Sequence, residues 1–149
     1  MSGPEPQYLV QWEEALRWLA KAAEDLAARR LLADEGMRDP AAFHVQQALE
    51  KVLKALLVAA AEDLRKTHDL ETLAQIANQH WPALISAPFP LAYLTRWYLT
   101  SRYPGLDDVS PSLEEISDAL CAIESLIVEV GSYIPSSLRP DPVSGQRKS

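Results

Sequence analysis

The segment PAAFHVQQALEKVLKALLVAAA, Pro40 to Ala61, decides the fold of this chain. At about 100° per residue, Val45, Leu49, Val52, Leu53, Leu56, Leu57 and Ala60 share one arc of a helical wheel. Gln46 lies inside that arc and Glu50 on its border, where an amide or a carboxylate costs free energy unless it is paired. Almost opposite, His44, Gln47, Lys51 and Lys54 make a second stripe, basic in sign, in a protein whose formal net charge is −7. A helix patterned on both faces is expected to be bound on two sides.

Upstream, Leu9, Trp12, Leu16, Leu19, Ala23 and Leu26 recur at three- and four-residue steps, so a first helix is predicted from about Pro6 to Leu32, with that row as its packing seam. Trp18 falls roughly 120° from the centre of the seam, a position that covers the bundle edge or meets another subunit. Gly36 breaks the helix, and Asp39-Pro40 supplies an N-cap with proline at the first helical position.

Downstream, Thr67 or Asp69 caps a third helix carrying Leu70, Leu73, Ile76 and Ala77, which ends at Trp81-Pro82. A fourth is predicted from Pro90, presenting Leu91, Leu94 and Tyr98 and stopping near Arg102, because Pro104 biases Tyr103 away from helical dihedrals. Ser110-Pro111 opens the last, where Leu113, Ile116, Leu120, Ile123, Ile127, Val130 and Ile134 hold a seven-residue rhythm. No strand alternation or internal repeat accompanies these patterns. The fold expected is all-α, an antiparallel up-and-down bundle of four to five helices. It occupies residues 1–134, and residues 135–149, aperiodic and rich in proline, form a disordered tail.

At 149 residues the chain suits one domain with a real core. Its acidic balance argues against long duplex nucleic acid as a partner. The single cysteine, Cys121, falls beside the stripe of the last helix and reads as a buried small hydrophobe of a reducing compartment. The N-terminus shows no secretory signal pattern. The stretch Thr72 to Thr95 lacks charged residues, but Asn78, Gln79, His80, Pro82, Pro88 and Pro90 interrupt it, so it fails as a membrane span. A cytoplasmic location is expected.

Three pieces of this sequence stand in a telling order: Phe43-His44-Val45-Gln46-Gln47-Ala48-Leu49-Glu50-Lys51, then Lys66-Thr67-His68-Asp69-Leu70, then Arg102-Tyr103-Pro104. Together they resemble the HEPN domain, the helical module named for higher eukaryotes and prokaryotes nucleotide-binding, over roughly Leu16 to Ile134. The resemblance implies an up-and-down helical bundle that homodimerises. It also implies a groove near Lys51, Lys54, Arg102 and Tyr103 that takes a nucleotide or a partner's substrate. Stand-alone bacterial members are commonly associated with a minimal nucleotidyltransferase, in a toxin–antitoxin or nucleotide-transfer pair, with the chemistry residing in the partner.

Each candidate residue also has a plain structural role. Arg102 closes a helix, where a cation is favoured by the last carbonyls, yet a guanidinium there is also suited to Glu50. Glu50 in turn has Lys54 four residues on, an ordinary surface pair. The stripe of His44, Gln47, Lys51 and Lys54 is either a phosphate-holding face or a solvated one. His68 with Lys66 sits at a helix start, which attracts anions or merely completes a cap.

Many HEPN ribonucleases follow their arginine by a histidine four to six residues later, whereas here Tyr103-Pro104-Gly105-Leu106-Asp107-Asp108 follows Arg102 and no histidine occurs after His80. The general acid/base is therefore missing from its place, and catalytic residues are not assigned. A ribonuclease toxin with a degenerate Arg/His motif, acting on RNA, is the alternative. Histidines far apart and a lone cysteine give no metal site, and sparse glycine gives no phosphate loop or cofactor cradle.

Overall fold

The computed structural model describes residues 5–63, 69–82, 84, 91, 94, 97 and 111–139. They form an all-α bundle: α1 (Gln7–Asp34), α2 (Arg38–Ala59), α3 (Leu70–His80) and α4 (Leu113–Tyr133), with a 3-10 turn at Ser136–Leu138. Leu91, Leu94 and Trp97 also have helical backbone, and Leu94 and Trp97 are buried. The remainder of the helix expected from Pro90, with Tyr98, lies outside the described residues. Among the described residues there is no strand, and no helix is long and apolar enough to cross a membrane.

Helix α2 is the central element and packs against α1, α3 and α4. Its expected apolar arc is buried at Val45, Leu49, Val52, Leu53, Leu56 and Leu57. A second buried row, Ala41, Ala48 and Ala55, repeats every seven residues on the side towards the polar stripe. Helix α1 answers with Ala15 and Ala22, also buried and also seven apart. Small side chains on both helices let their axes approach closely.

The packing face of α1 differs from the expected seam. Trp12, Ala15, Ala22 and Asp25 are buried, Leu9, Leu16, Leu19 and Leu26 are half-buried, and Ala23 is exposed. The face is rotated by roughly 80° from the row of large residues, at about 100° per residue. Leucine marks the flanks of the contact here, and alanine its centre. Trp18, now near the edge of the buried face, is half-buried and packs on the core.

Both descents from helix to loop around α2 use the same device. At the end of α1, Gly36 N–H donates to the Ala33 carbonyl at 3.0 Å and Met37 N–H to Leu32 at 2.8 Å. Gly36 has φ +76°, the left-handed conformation that closes a Schellman motif. At the end of α2, Ala61 N–H donates to Val58 at 3.0 Å and Glu62 N–H to Leu57 at 2.9 Å, with Ala61 at φ +63°. An alanine there carries the steric cost that glycine avoids.

Because the first motif delivers the chain directly into α2, that helix begins at Arg38, with Met37 in the cap position and Asp39 in the first turn. Asp39 is thus not the N-cap expected from the sequence. Pro40 still falls where its missing N–H has no intrahelical acceptor. Asp69 does cap α3, accepting from Glu71 N–H at 3.1 Å and from the Thr72 hydroxyl at 2.7 Å.

Helix α4 begins two residues later than Ser110-Pro111 suggested. Ser112 Oγ accepts from Glu115 N–H at 3.0 Å while Glu115 Oε1 accepts from Ser112 N–H at 3.0 Å, a complete capping box. Its buried residues are Ile116, Ala119, Ile123, Leu126 and Val130, and Leu113 is exposed. This phase places Cys121 opposite the buried row. The cysteine is exposed, contrary to the expectation of a core thiol.

Past Pro135 the chain remains tied to the bundle through Arg139, whose guanidinium donates to the carbonyls of Ile134 at 2.7 Å and Ser132 at 2.8 Å. Leu138 packs on the core. The rest of the expected tail, 140–149, lies outside the described residues.

Candidate functional site

The basic stripe of α2 is covered by α1. Asp25, in phase with Ala15 and Ala22, brings a carboxylate into the helix interface and is 7% exposed. Its Oδ1 pairs with His44 Nδ1 at 2.8 Å and its Oδ2 accepts from Lys51 Nζ. One acid thereby holds two stripe residues a heptad apart. No partner of His44 Nε2 occurs among the described residues, and the His44 side chain is 31% exposed.

One turn further along α2, Lys54 is buried rather than solvated. Its ammonium donates to Glu50 Oε2 at 3.1 Å and stands 5.9 Å from the centroid of the Trp18 ring. Cation and aromatic face attract at this distance. The Glu50–Lys54 pair expected on the surface is formed, but both side chains are at most 10% exposed. A buried ion pair needs both members, since either alone would be an uncompensated charge.

Gln46 is fully buried within the apolar arc, as its wheel position indicated. Its Oε1 accepts from Gln47 Nε2 at 2.7 Å, and its own Nε2 has no acceptor among the described residues. The stripe is therefore a charge-compensated seam of two carboxylates, two ammonium groups and an imidazole, in place of a free basic face.

Above the seam, Glu14, Arg17, Trp18, Lys21 and Lys51 line an open hollow of about 400 Å³. Arg17 pairs with Glu14, and Lys21 with Glu24 at 3.4 Å, both at exposed positions. Such pairs are held weakly and exchange readily with solvent or a ligand. The hollow thus offers an indole beside three cations.

The structure brings together His44, Gln47, Glu50, Lys51 and Lys54 from the sequence-level site. Lys66, His68, Arg102 and Tyr103 lie outside the described residues, and with them the expected Glu50–Arg102 contact. Sequence reading missed Asp25 and the pairing of Trp18 with Lys54. The available signal was register: Asp25 falls one turn beyond Ala22 on the face of Ala15 and Ala22, opposite a helix with basic residues at 44 and 51.

The HEPN domain family model matches residues 15–133 of the chain. This coverage takes in α1 through α4 almost entirely, and the chain belongs to the HEPN domain family. No match was found among the curated proteins or among the solved structures.

Proposed function

We propose that this HEPN protein is a nucleotide-binding interaction module that acts as a homodimer beside a minimal nucleotidyltransferase, as one member of a toxin–antitoxin or nucleotide-transfer pair in the cytoplasm. The observation that carries the nucleotide reading is the half-buried Trp18 bordered by Arg17, Lys21 and Lys51. An indole gives a base a stacking surface, and the cations give phosphate oxygens their counter-charge. The hollow of about 400 Å³ lies within the usual range for a small-ligand site. Lys51 is shared between the hollow and Asp25, so ligand binding acts directly on the α1–α2 seam.

The test is thermal stabilisation by AMP and ATP. Wild-type protein is expected to gain stability with nucleotide and Lys51→Ala to gain less. Equal stabilisation of both would reject the groove assignment. Coexpression with a minimal nucleotidyltransferase should yield a stable complex, and separate elution on size exclusion would count against the partner.

The hydrogen bond between Asp25 and His44 favours one second reading, a ribonuclease. A carboxylate on Nδ1 fixes the imidazole with Nε2 outward, the arrangement of a general base. RNA cleavage abolished by His44→Ala and by Arg102→Ala would support it; absence of cleavage in wild type would remove it.

A further inference from the structure

A second group of cations, Arg29 and Arg30, lies on α1 about 17 Å along the helix axis from Trp18, at 1.5 Å per residue. These two face a different neighbour. With Leu26 and Ala27 of α1 and Leu120 and Glu124 of α4 they line a hollow of about 470 Å³. The charged groups of the α1–α2 seam are matched by Asp25 and Glu50. No ion pair or side-chain hydrogen bond to Arg29 or Arg30 occurs among the described residues. Arg29 Nε is shut off from solvent without an acceptor.

A buried donor left unpaired is costly. Two adjacent uncompensated guanidiniums in a chain of net charge −7 also run against the protein's overall balance. An anion seated in the hollow relieves the second, at the guanidinium groups that line it. Guanidinium presents its N–H groups as a planar fork that matches phosphoryl oxygens two at a time. Leu26, Ala27 and Leu120 supply an apolar wall for whatever carries the anion, and Glu124 can accept a hydrogen bond from a hydroxyl on it.

We propose that the α1–α4 hollow is a phosphoryl-anion site, separate from the Trp18 groove, in which Arg29 and Arg30 hold the phosphate of a small phosphorylated molecule. Glu124 selects for carriers bearing hydroxyl groups and weakens binding of bare phosphate. The site goes beyond the nucleotide groove proposed above and does not depend on it.

Calorimetric titrations at matched ionic strength with inorganic phosphate, ribose 5-phosphate and ribose, none of which carries a base to stack on Trp18, test the proposal on the full chain. Phosphate and ribose 5-phosphate are expected to bind and ribose not. Arg30→Ala, at an exposed position, should weaken both by about tenfold, the loss of one charge-assisted interaction. Glu124→Gln, also exposed, should tighten inorganic phosphate by removing repulsion, an effect opposite to that of general damage to the fold. Lys51→Ala, at a partly exposed position of the other hollow, should leave phosphate binding unchanged. Tighter ribose 5-phosphate than phosphate supports a hydroxyl-bearing phosphoester as the ligand, and equal affinities would overturn the selective role given to Glu124. No phosphate binding, binding that survives Arg29→Gln/Arg30→Gln, or loosening by Glu124→Gln would overturn it. Loss in the lysine variant with retention in the arginine variant would overturn it too, while leaving the Trp18 groove intact.

Discussion

Replacing Asp25 by alanine removes the one acid that holds α1 to the stripe of α2. The Asp25 side chain is 10% exposed, and its partners His44 and Lys51 are 31% and 26% exposed. Two hydrogen bonds to a charged group at about 1.5–3 kcal/mol each set a gross loss of about 3–6 kcal/mol. Lys51 and His44 keep partial access to water and rehydrate, so roughly half of that is recovered. The net expectation is a destabilisation of about 1.5–3 kcal/mol, or roughly 3–12 °C in Tm for a chain of this size.

Urea unfolding of wild type, Asp25→Ala, Lys51→Ala and the double variant measures both the loss and its origin. The midpoint should fall at constant slope, and the two single effects should be non-additive by about 1–2 kcal/mol. An Asp25→Ala change below about 0.5 kcal/mol, the range of ordinary surface sites, or additivity within about 0.5 kcal/mol, would refute the account of the seam as a set of paired charges.

Other outcomes follow from separate features. Glu50→Ala leaves the Lys54 ammonium buried over Trp18 and should destabilise by about 3 kcal/mol or more, read from the same urea curves. Ala61→Gly relieves the left-handed backbone at φ +63° and should stabilise by about 0.5–1 kcal/mol, seen as a higher Tm; a fall in Tm would contradict it. Ser112→Ala removes half of the capping box of α4 and should cost about 1 kcal/mol, with greater amide exchange in the first turn of that helix.

The helical order of the chain was legible because the apolar spacing of α2 and α4 and the breaks at Gly36 and Pro82 are local signals. The two-sided character of α2 was equally plain, with Gln46 inside the oily arc. The phase of α1 was not, because periodicity rewards large side chains and the contact is made by Ala15 and Ala22. Cys121 was misplaced for a related reason: Leu113 belongs to the apparent stripe yet is exposed, which pulled the expected face of α4 away from Ala119 and Leu126. The compensation of Lys51 and His44 by Asp25 joins residues 26 and 19 positions apart, and no helical wheel drawn for one segment contains it.

The alanine rows of α1 and α2 have a property that hydrophobic matching alone does not resolve. Both repeat every seven residues, so a slide of two turns lays alanine on alanine again. Under that slide Asp25 keeps only one of its two partners, and Val58 or Met37 takes the place of the other. Together with the tight turn at Gly36, the carboxylate works as a notch that marks one alignment of an otherwise repeating pair.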